Sequence, residues 1–217
     1  MKKILLAVAL LSCIGLAENN EITIRGGFSG TNFNQNDNTA TINQNTKMSG
    51  GGFLGVEYAR GVSSIPDLKL GVGMSIGGVS GSDEDLPNKS VNGKAFTNNY
   101  RYENSVIVTI PVYALVKYEF SNSSSVTPYV IGRIGYDIAD TKNEVKFYPT
   151  GETSDLKIKN GFYYGLGGGI KLSNWNFEVS YDNTSTKTSY SDKRYRIDDS
   201  KKNLGKVNLA VGYTFKF

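Results

Sequence analysis

From residue 207 to the end the chain alternates without a break. Val207, Leu209, Val211, Tyr213, Phe215 and Phe217 are apolar or aromatic, while Lys206, Asn208, Thr214 and Lys216, with the small Ala210 and Gly212, take the other positions. A period of two belongs to a β-strand with two unlike faces. The same period recurs in seven earlier segments. Over 21–29, Ile22, Ile24, Gly26 and Phe28 oppose Thr23, Arg25, Gly27 and Ser29. Over 50–60, Leu54, Val56 and Tyr58 oppose Gly55 and Glu57, with Phe53 on the polar side. Leu68, Leu70, Val72, Met74 and Ile76 then oppose Lys69, Gly71, Gly73 and Ser75. The segment 103–120 sets Val106, Val108, Ile110, Val112, Ala114, Val116, Tyr118 and Phe120 against Ile107, Thr109, Pro111, Tyr113, Leu115, Lys117 and Glu119. Pro111 cannot donate to a ladder, which predicts a kink or bulge there. Val130, Gly132, Ile134 and Tyr136 oppose Tyr129, Arg133 and Asp137. Phe162, Tyr164, Leu166, Ile170 and Leu172 oppose Tyr163, three glycines and Lys171. Trp175, Phe177, Val179 and Tyr181 oppose Asn176, Glu178, Ser180 and Asp182.

The connections between these eight segments alternate in length. Polar stretches without an apolar period, at 31–47, 78–101, 139–159 and 184–202, read as long loops. The short links are 61–66, 121–125 and Ser173–Asn174. An even strand number with short turns at one end and long loops at the other is the pattern of an outer-membrane barrel. The predicted fold is therefore all-β: an eight-stranded antiparallel transmembrane β-barrel with short periplasmic turns and four long external loops. A soluble barrel would expose the apolar rows as a patch far larger than a soluble monomer carries. Tyr58, Tyr118, Phe120, Trp175 and the Tyr213–Phe217 group fall near the short-turn end, where aromatic rings favour the membrane interface. Phe28, Tyr136 and Phe162 are candidates for a thinner upper girdle.

The first seventeen residues stand apart. Met1-Lys2-Lys3 precedes an apolar run from Ile4 to Ala17 that ends in Gly15-Leu16-Ala17. That is a secretory signal peptide over 1–17, with the barrel domain over 18–217. The run is too short for a spanning helix, which needs about 20 residues. Leu10-Leu11-Ser12-Cys13 offers a rival lipobox cleavage that would leave a lipidated Cys13. Cys13 is the sole cysteine, so cleavage after Ala17 leaves no disulfide and no thiolate metal site.

Composition narrows the chemistry. The sequence has no histidine, which removes the usual general base of hydrolases. Gly73-Met74-Ser75-Ile76-Gly77 matches a nucleophile elbow, yet it lies mid-strand and has no histidine partner. Gly165-Leu166-Gly167-Gly168-Gly169 lacks the helix start and the Lys-Ser/Thr pair of a phosphate loop. Its glycines instead leave room for large inward neighbours such as Tyr129 or Arg133. Asp83-Glu84-Asp85 lacks the spaced ligands of a calcium loop. No catalytic residue, metal or cofactor is predicted. The net charge of +4 is spread over both signs.

The inward rows hold the distinctive charges: Arg25, Lys69, Lys117, Arg133, Lys171, Lys206 and Lys216 against Glu57, Glu119, Asp137, Glu178 and Asp182. Side chains just fill an eight-stranded barrel. A lone buried ion is costly, so these groups are expected to pair into a polar plug. A narrow ion path or gate within that network is the competing reading. Lys193-Arg194-Tyr195-Arg196, in the last long loop, could hold phosphates or an anionic glycan through arginine.

Ile110-Pro111-Val112-Tyr113, Thr127-Pro128-Tyr129-Val130 and the Tyr213-x-Phe215-x-Phe217 ending resemble the small eight-stranded outer-membrane barrels, the opacity-protein, OmpX-like and OmpA transmembrane-domain group. In that family a C-terminal aromatic strand is part of the signal read by the barrel assembly machinery. The resemblance implies an outer-membrane location, contact with membrane lipid and lipopolysaccharide, and assembly through Tyr213, Phe215 and Phe217. It implies no single activity. The expected function is structural or surface-interactive through the external loops, in adhesion or envelope integrity, with host or cell-surface ligands as candidate partners. The alternative is a small porin for ions or small solutes. An exported barrel leaves no role for nucleic acid.

Overall fold

The computed structural model describes residues 20–31, 33–37, 42–46, 48–81, 89–91, 94–96, 100–101, 106–138, 141–147, 153–191 and 196–217. The expected signal peptide with Cys13, the Asp83–Asp85 run and Lys193, Arg194 and Tyr195 lie outside these residues. Among the described residues, eight long strands run in sequence: β1 (Asn20–Thr31), β2 (Met48–Val62), β3 (Ile65–Gly81), β4 (Val106–Thr109 and Pro111–Glu119), β5 (Val126–Asp137), β6 (Thr153–Leu172), β7 (Trp175–Ser191) and β8 (Arg196–Lys216).

Each strand pairs antiparallel with the next in sequence. The ring closes where β1 meets β8, with Glu21 opposite Lys216 and Thr31 opposite Lys206. Asn20 and Phe217 exchange both backbone hydrogen bonds, at 3.2 and 3.1 Å, so the seam is paired to its last residue. Closure of the ring removes the free edges of an open sheet, the condition for crossing a bilayer with β-structure.

The alternation seen in sequence becomes two surfaces. Outside stand exposed rows such as Ile24, Leu54, Val56, Leu70, Met74, Ile76, Leu166, Val179, Leu209 and Val211. Inside, Tyr113, Leu115, Tyr129, Ile131 and Tyr163 pack with Ala59 among buried polar and charged groups. At the short-turn end, Trp175 and Tyr213 meet edge to face at 5.1 Å, Tyr213 and Phe215 at 4.9 Å, and Tyr118 and Phe120 at 5.1 Å. The Tyr58 hydroxyl donates to Asn20 Oδ1 at 2.8 Å. These rings have apolar bodies and wet tips, as an interface girdle requires. At the other end Phe28, Tyr136 and Phe162 are exposed.

The irregularity expected at Pro111 sits one residue earlier. Ile110 separates the two parts of β4, and its N–H donates to Asp137 Oδ1 at 2.8 Å while its carbonyl accepts from Ile138 N–H at 3.0 Å. The side chain of Asp137 thus repairs the ladder that the proline interrupts.

The long polar stretches differ from expectation. β7 continues through Ser191 and β8 starts at Arg196, so most of 184–202 is strand rather than loop. The 153–159 part of β6 pairs with β7 and with an added strand, Thr141–Phe147. Phe33–Asp37 and Ile42–Thr46 form a hairpin of their own, and Lys89–Val91 pairs with Lys94–Phe96. Strand pairing beyond the bilayer needs no apolar face, so these extensions carry no hydrophobic period to read.

Candidate functional site: the charged lumen

Strand alternation sends one residue in two to the barrel axis, and the lumen charges fall into three levels. At the short-turn end, β1, β3, β4 and β6 bring Glu21, Lys69, Lys117, Glu119 and Lys171 together. Lys69 Nζ lies 2.6 Å from Glu21 Oε2 and 2.9 Å from Glu119 Oε1. Lys117 Nζ reaches the same two carboxylates at 3.3 and 3.0 Å, and Lys171 Nζ at 3.4 and 3.0 Å. Every lysine touches both carboxylates, so loss of one contact leaves no ion alone.

Above this level lies a belt of two arginines and two glutamates from β1, β2, β5 and β7. Arg133 spans the axis. Its Nε donates to Glu57 Oε1 at 2.9 Å, while its two terminal nitrogens grip Glu178 at 2.9 and 3.0 Å in a bidentate pair. That planar fork is the strong form of a guanidinium–carboxylate contact. Arg25 binds the same carboxylates, at 2.9 Å to Glu57 and 3.2 Å to Glu178. Tyr113 Oη donates to Glu57 at 2.9 Å and Tyr129 Oη to Glu178 at 3.3 Å. Rings cover the cations: Arg25 lies 5.0 Å from the Phe53 centroid, Arg133 5.8 Å from Tyr113, and Lys117 4.6 Å from Tyr129. The Arg133 side chain is fully buried. The belt is charge-neutral.

The third level is polar and more sparsely charged. Lys206 faces Asp182 across the β7–β8 pair and donates to Thr109 Oγ1 at 3.0 Å. Asn208 donates to Asp182 Oδ2 at 2.8 Å and accepts from Ser29 Oγ at 2.6 Å. Asp137 is buried at the β4 break.

Glycines make room for this filling. A Cβ on Gly73 would fall 2.6 Å from the Tyr113 ring and 2.9 Å from Glu57 Cγ, so the first glycine of the elbow-like Gly73–Gly77 motif is a packing requirement. A Cβ on Gly169 would meet Tyr129 at 2.7 Å, and one on Gly165 would meet Asp182 Oδ1 at 2.3 Å.

Two features depart from the sequence reading. Lys216, placed there among the lumen charges, is exposed at the end of β8, because the inward face of the last turn of strand meets solvent at the barrel mouth. Glu21 was missing from that set, although two steps of the alternation from Arg25 reach it. The tyrosines 113 and 129 were assigned inward without a role, and they supply hydroxyl donors to the belt. Arg196 opens β8, at the far end of the strand from this network.

No group of histidine, cysteine, aspartate or glutamate suited to a metal ion occurs among the described residues. The chemistry on offer is ion pairing and hydrogen bonding.

The profile of the outer membrane protein β-barrel domain family matches residues 4–215. The chain belongs to that family. This membership places it in the outer membrane. A protein of Pasteurella multocida (strain Pm70), PM1543, is 27% identical over 167 residues, covering 70% of each chain. Among solved barrels, Neisserial surface protein A shares 14% identity at a TM-score of 0.50, over 91% of this chain and 97% of its own. OprG from Pseudomonas aeruginosa aligns over the same shares, with 14% identity and a TM-score of 0.47. At such identities the likeness to the neisserial barrel speaks for the fold, and the charged belt has to be argued from this member's own residues.

Proposed function

We propose that this outer-membrane barrel conducts no solute, catalyses no reaction, and acts through its external end in adhesion or envelope integrity. The observation that carries the reading is the filled lumen. The two spaces beside the belt are small, each with only about 20 Å³ open to the centre of a water. A hydrated ion does not pass such a plug without breaking buried ion pairs.

The strand lengths support an external role. A transmembrane strand needs about 9–11 residues, whereas β6, β7 and β8 have 20, 17 and 21. At about 3.4 Å per residue, the excess carries the outer ends of these strands beyond the membrane. Lys193, Arg194, Tyr195 and Arg196 fall in or beside the β7–β8 connection and are suited to phosphates of lipopolysaccharide or to an anionic cell-surface glycan. Residues 1–17 serve export, and the Tyr213-x-Phe215-x-Phe217 ending serves the assembly machinery.

Two measurements test this. The refolded protein, checked by its heat-dependent gel mobility, is expected to give no discrete current steps in a planar bilayer. Reproducible steps from folded protein would establish the porin reading instead. Folded barrel should also bind lipopolysaccharide vesicles, and K193S, R194S and R196S combined should weaken that binding without altering gel mobility.

A further inference from the structure

The lower of the two lumen spaces has an unusual wall. It is bounded by Arg25, Glu57 and Glu178 of the belt, by Lys117 from below, and by Thr23 and Asn176. Arg25 and Asn176 are both more than nine-tenths buried, and Arg25 Nε and Asn176 Oδ1 have no hydrogen-bond partner among the described residues. One is a donor and the other an acceptor. Elsewhere on these side chains, Arg25 Nη1 binds Glu57 and Glu178, and the Asn176 amide nitrogen donates to Thr214 Oγ1 at 2.7 Å.

Two residues that line the same space thus leave one donor and one acceptor unpartnered, which calls for a group that can both accept and donate. Leaving such groups unpaired costs about 1–3 kcal/mol each, more for a charged one. About 20 Å³ of the space is open to the centre of a water, enough to admit a bound water. Carboxylate oxygens of Glu57 and Glu178 lie on the same wall to take a second proton.

We infer that this space is a binding site for one internal water, which accepts from Arg25 Nε–H and donates to Asn176 Oδ1. A wall that sets the Glu57 and Glu178 carboxylates and the Asn176 amide beside Arg25 and Lys117 suits a neutral dipole better than an ion of either sign. The site also has a structural meaning. Asn176 is tied to Thr214, whose hydroxyl lies 2.7 Å from Thr23 Oγ1 across the β1–β8 seam. The water therefore joins the belt to the seam that closes the barrel, and its cage is complete only when β1 and β8 have paired.

The test uses the whole folded protein in detergent micelles, with nitrogen-15-labelled arginine. The Arg25 Hε signal, assigned by its loss in R25K, should show a water cross-peak of the sign given by a long-lived internal molecule. N176L, which removes the acceptor and fills the space with methyls, should abolish that cross-peak while keeping the heat-dependent gel mobility. Absence of the cross-peak in folded wild type overturns the inference, as does its persistence unchanged in N176L. A chloride-dependent shift of Arg25 Hε without a water cross-peak would replace the water by an anion. If N176L does not fold, the wild-type spectrum still decides occupancy.

Discussion

At the scale of single residues, Arg133 has the greatest leverage. It is buried completely and binds both glutamates of the belt across the axis. Removing one partner of a buried pair is destabilising by about 3–5 kcal/mol, because the remaining charges stay buried. Arg133→Ala should therefore lower the urea midpoint of the refolded barrel, followed through the fluorescence of its one tryptophan, Trp175. Replacing the whole belt by Met and Leu at Arg25, Glu57, Arg133 and Glu178 should be less damaging than R133A alone, since no ion is then stranded. A belt replacement that proves the worse of the two would refute this account. Glycines make a second test. A Cβ on Gly169 would sit 2.2 Å from the Phe177 carbonyl oxygen and 2.7 Å from Tyr129, whereas one on Gly52 would meet nothing nearer than 3.5 Å. Gly169→Ala should cost about 1–3 kcal/mol by overpacking. Gly52→Ala should stay within about 0.5 kcal/mol. Equal effects in the same urea titration would contradict the packing argument.

At the scale of elements, the terminal strand does two jobs. Its inward face helps fill the lumen through Lys206, Asn208 and Thr214, and its outward face ends in stacked aromatics at the interface. Phe217 is largely exposed, yet its backbone closes the seam against Asn20. Deleting Phe217 should lower the amount of heat-modifiable barrel in the outer membrane with little effect on synthesis, as measured by pulse-labelling and gel mobility. Equal folded amounts with and without Phe217 would remove it from the assembly signal. The split of β4 gives another view of an element. Pro111 marks the disturbance in sequence, but the group that compensates for it, Asp137, comes from the neighbouring strand.

At the scale of the whole molecule, the belt pairs are sealed by the wall they stabilise, whereas Glu21, Lys69 and Glu119 line an open space at the short-turn mouth. Salt acts on charges that water reaches. The Debye length is about 3 Å at 1 M, but hydrated ions do not fit the spaces of about 20 Å³ beside the belt. Raising NaCl from about 0.1 to 1 M should therefore leave the urea midpoint of the barrel nearly unchanged. A large loss of stability in salt would mean that the ion pairs are solvated, and would revive the porin reading.

By itself the sequence determined the strand count, the lipid-facing and inward rows, the closed transmembrane barrel and the end that carries the short turns. All of these follow from a period of two and from link lengths, which are local quantities. The inward direction of Arg25, Glu57, Arg133 and Glu178 was legible in the same way. That these four meet at one level was not, because Arg133 and Glu57 are 76 residues apart. Their meeting depends on the stagger with which eight strands close, a property of the ring as a whole. The same stagger put Glu21 among the lysines and left Lys216 at the open mouth. The strand extensions past the bilayer stayed hidden for a different reason: backbone pairing in water leaves no hydrophobic pattern behind. Which charges pair, how little space remains between them, and what that space can hold were decided by the tertiary structure alone.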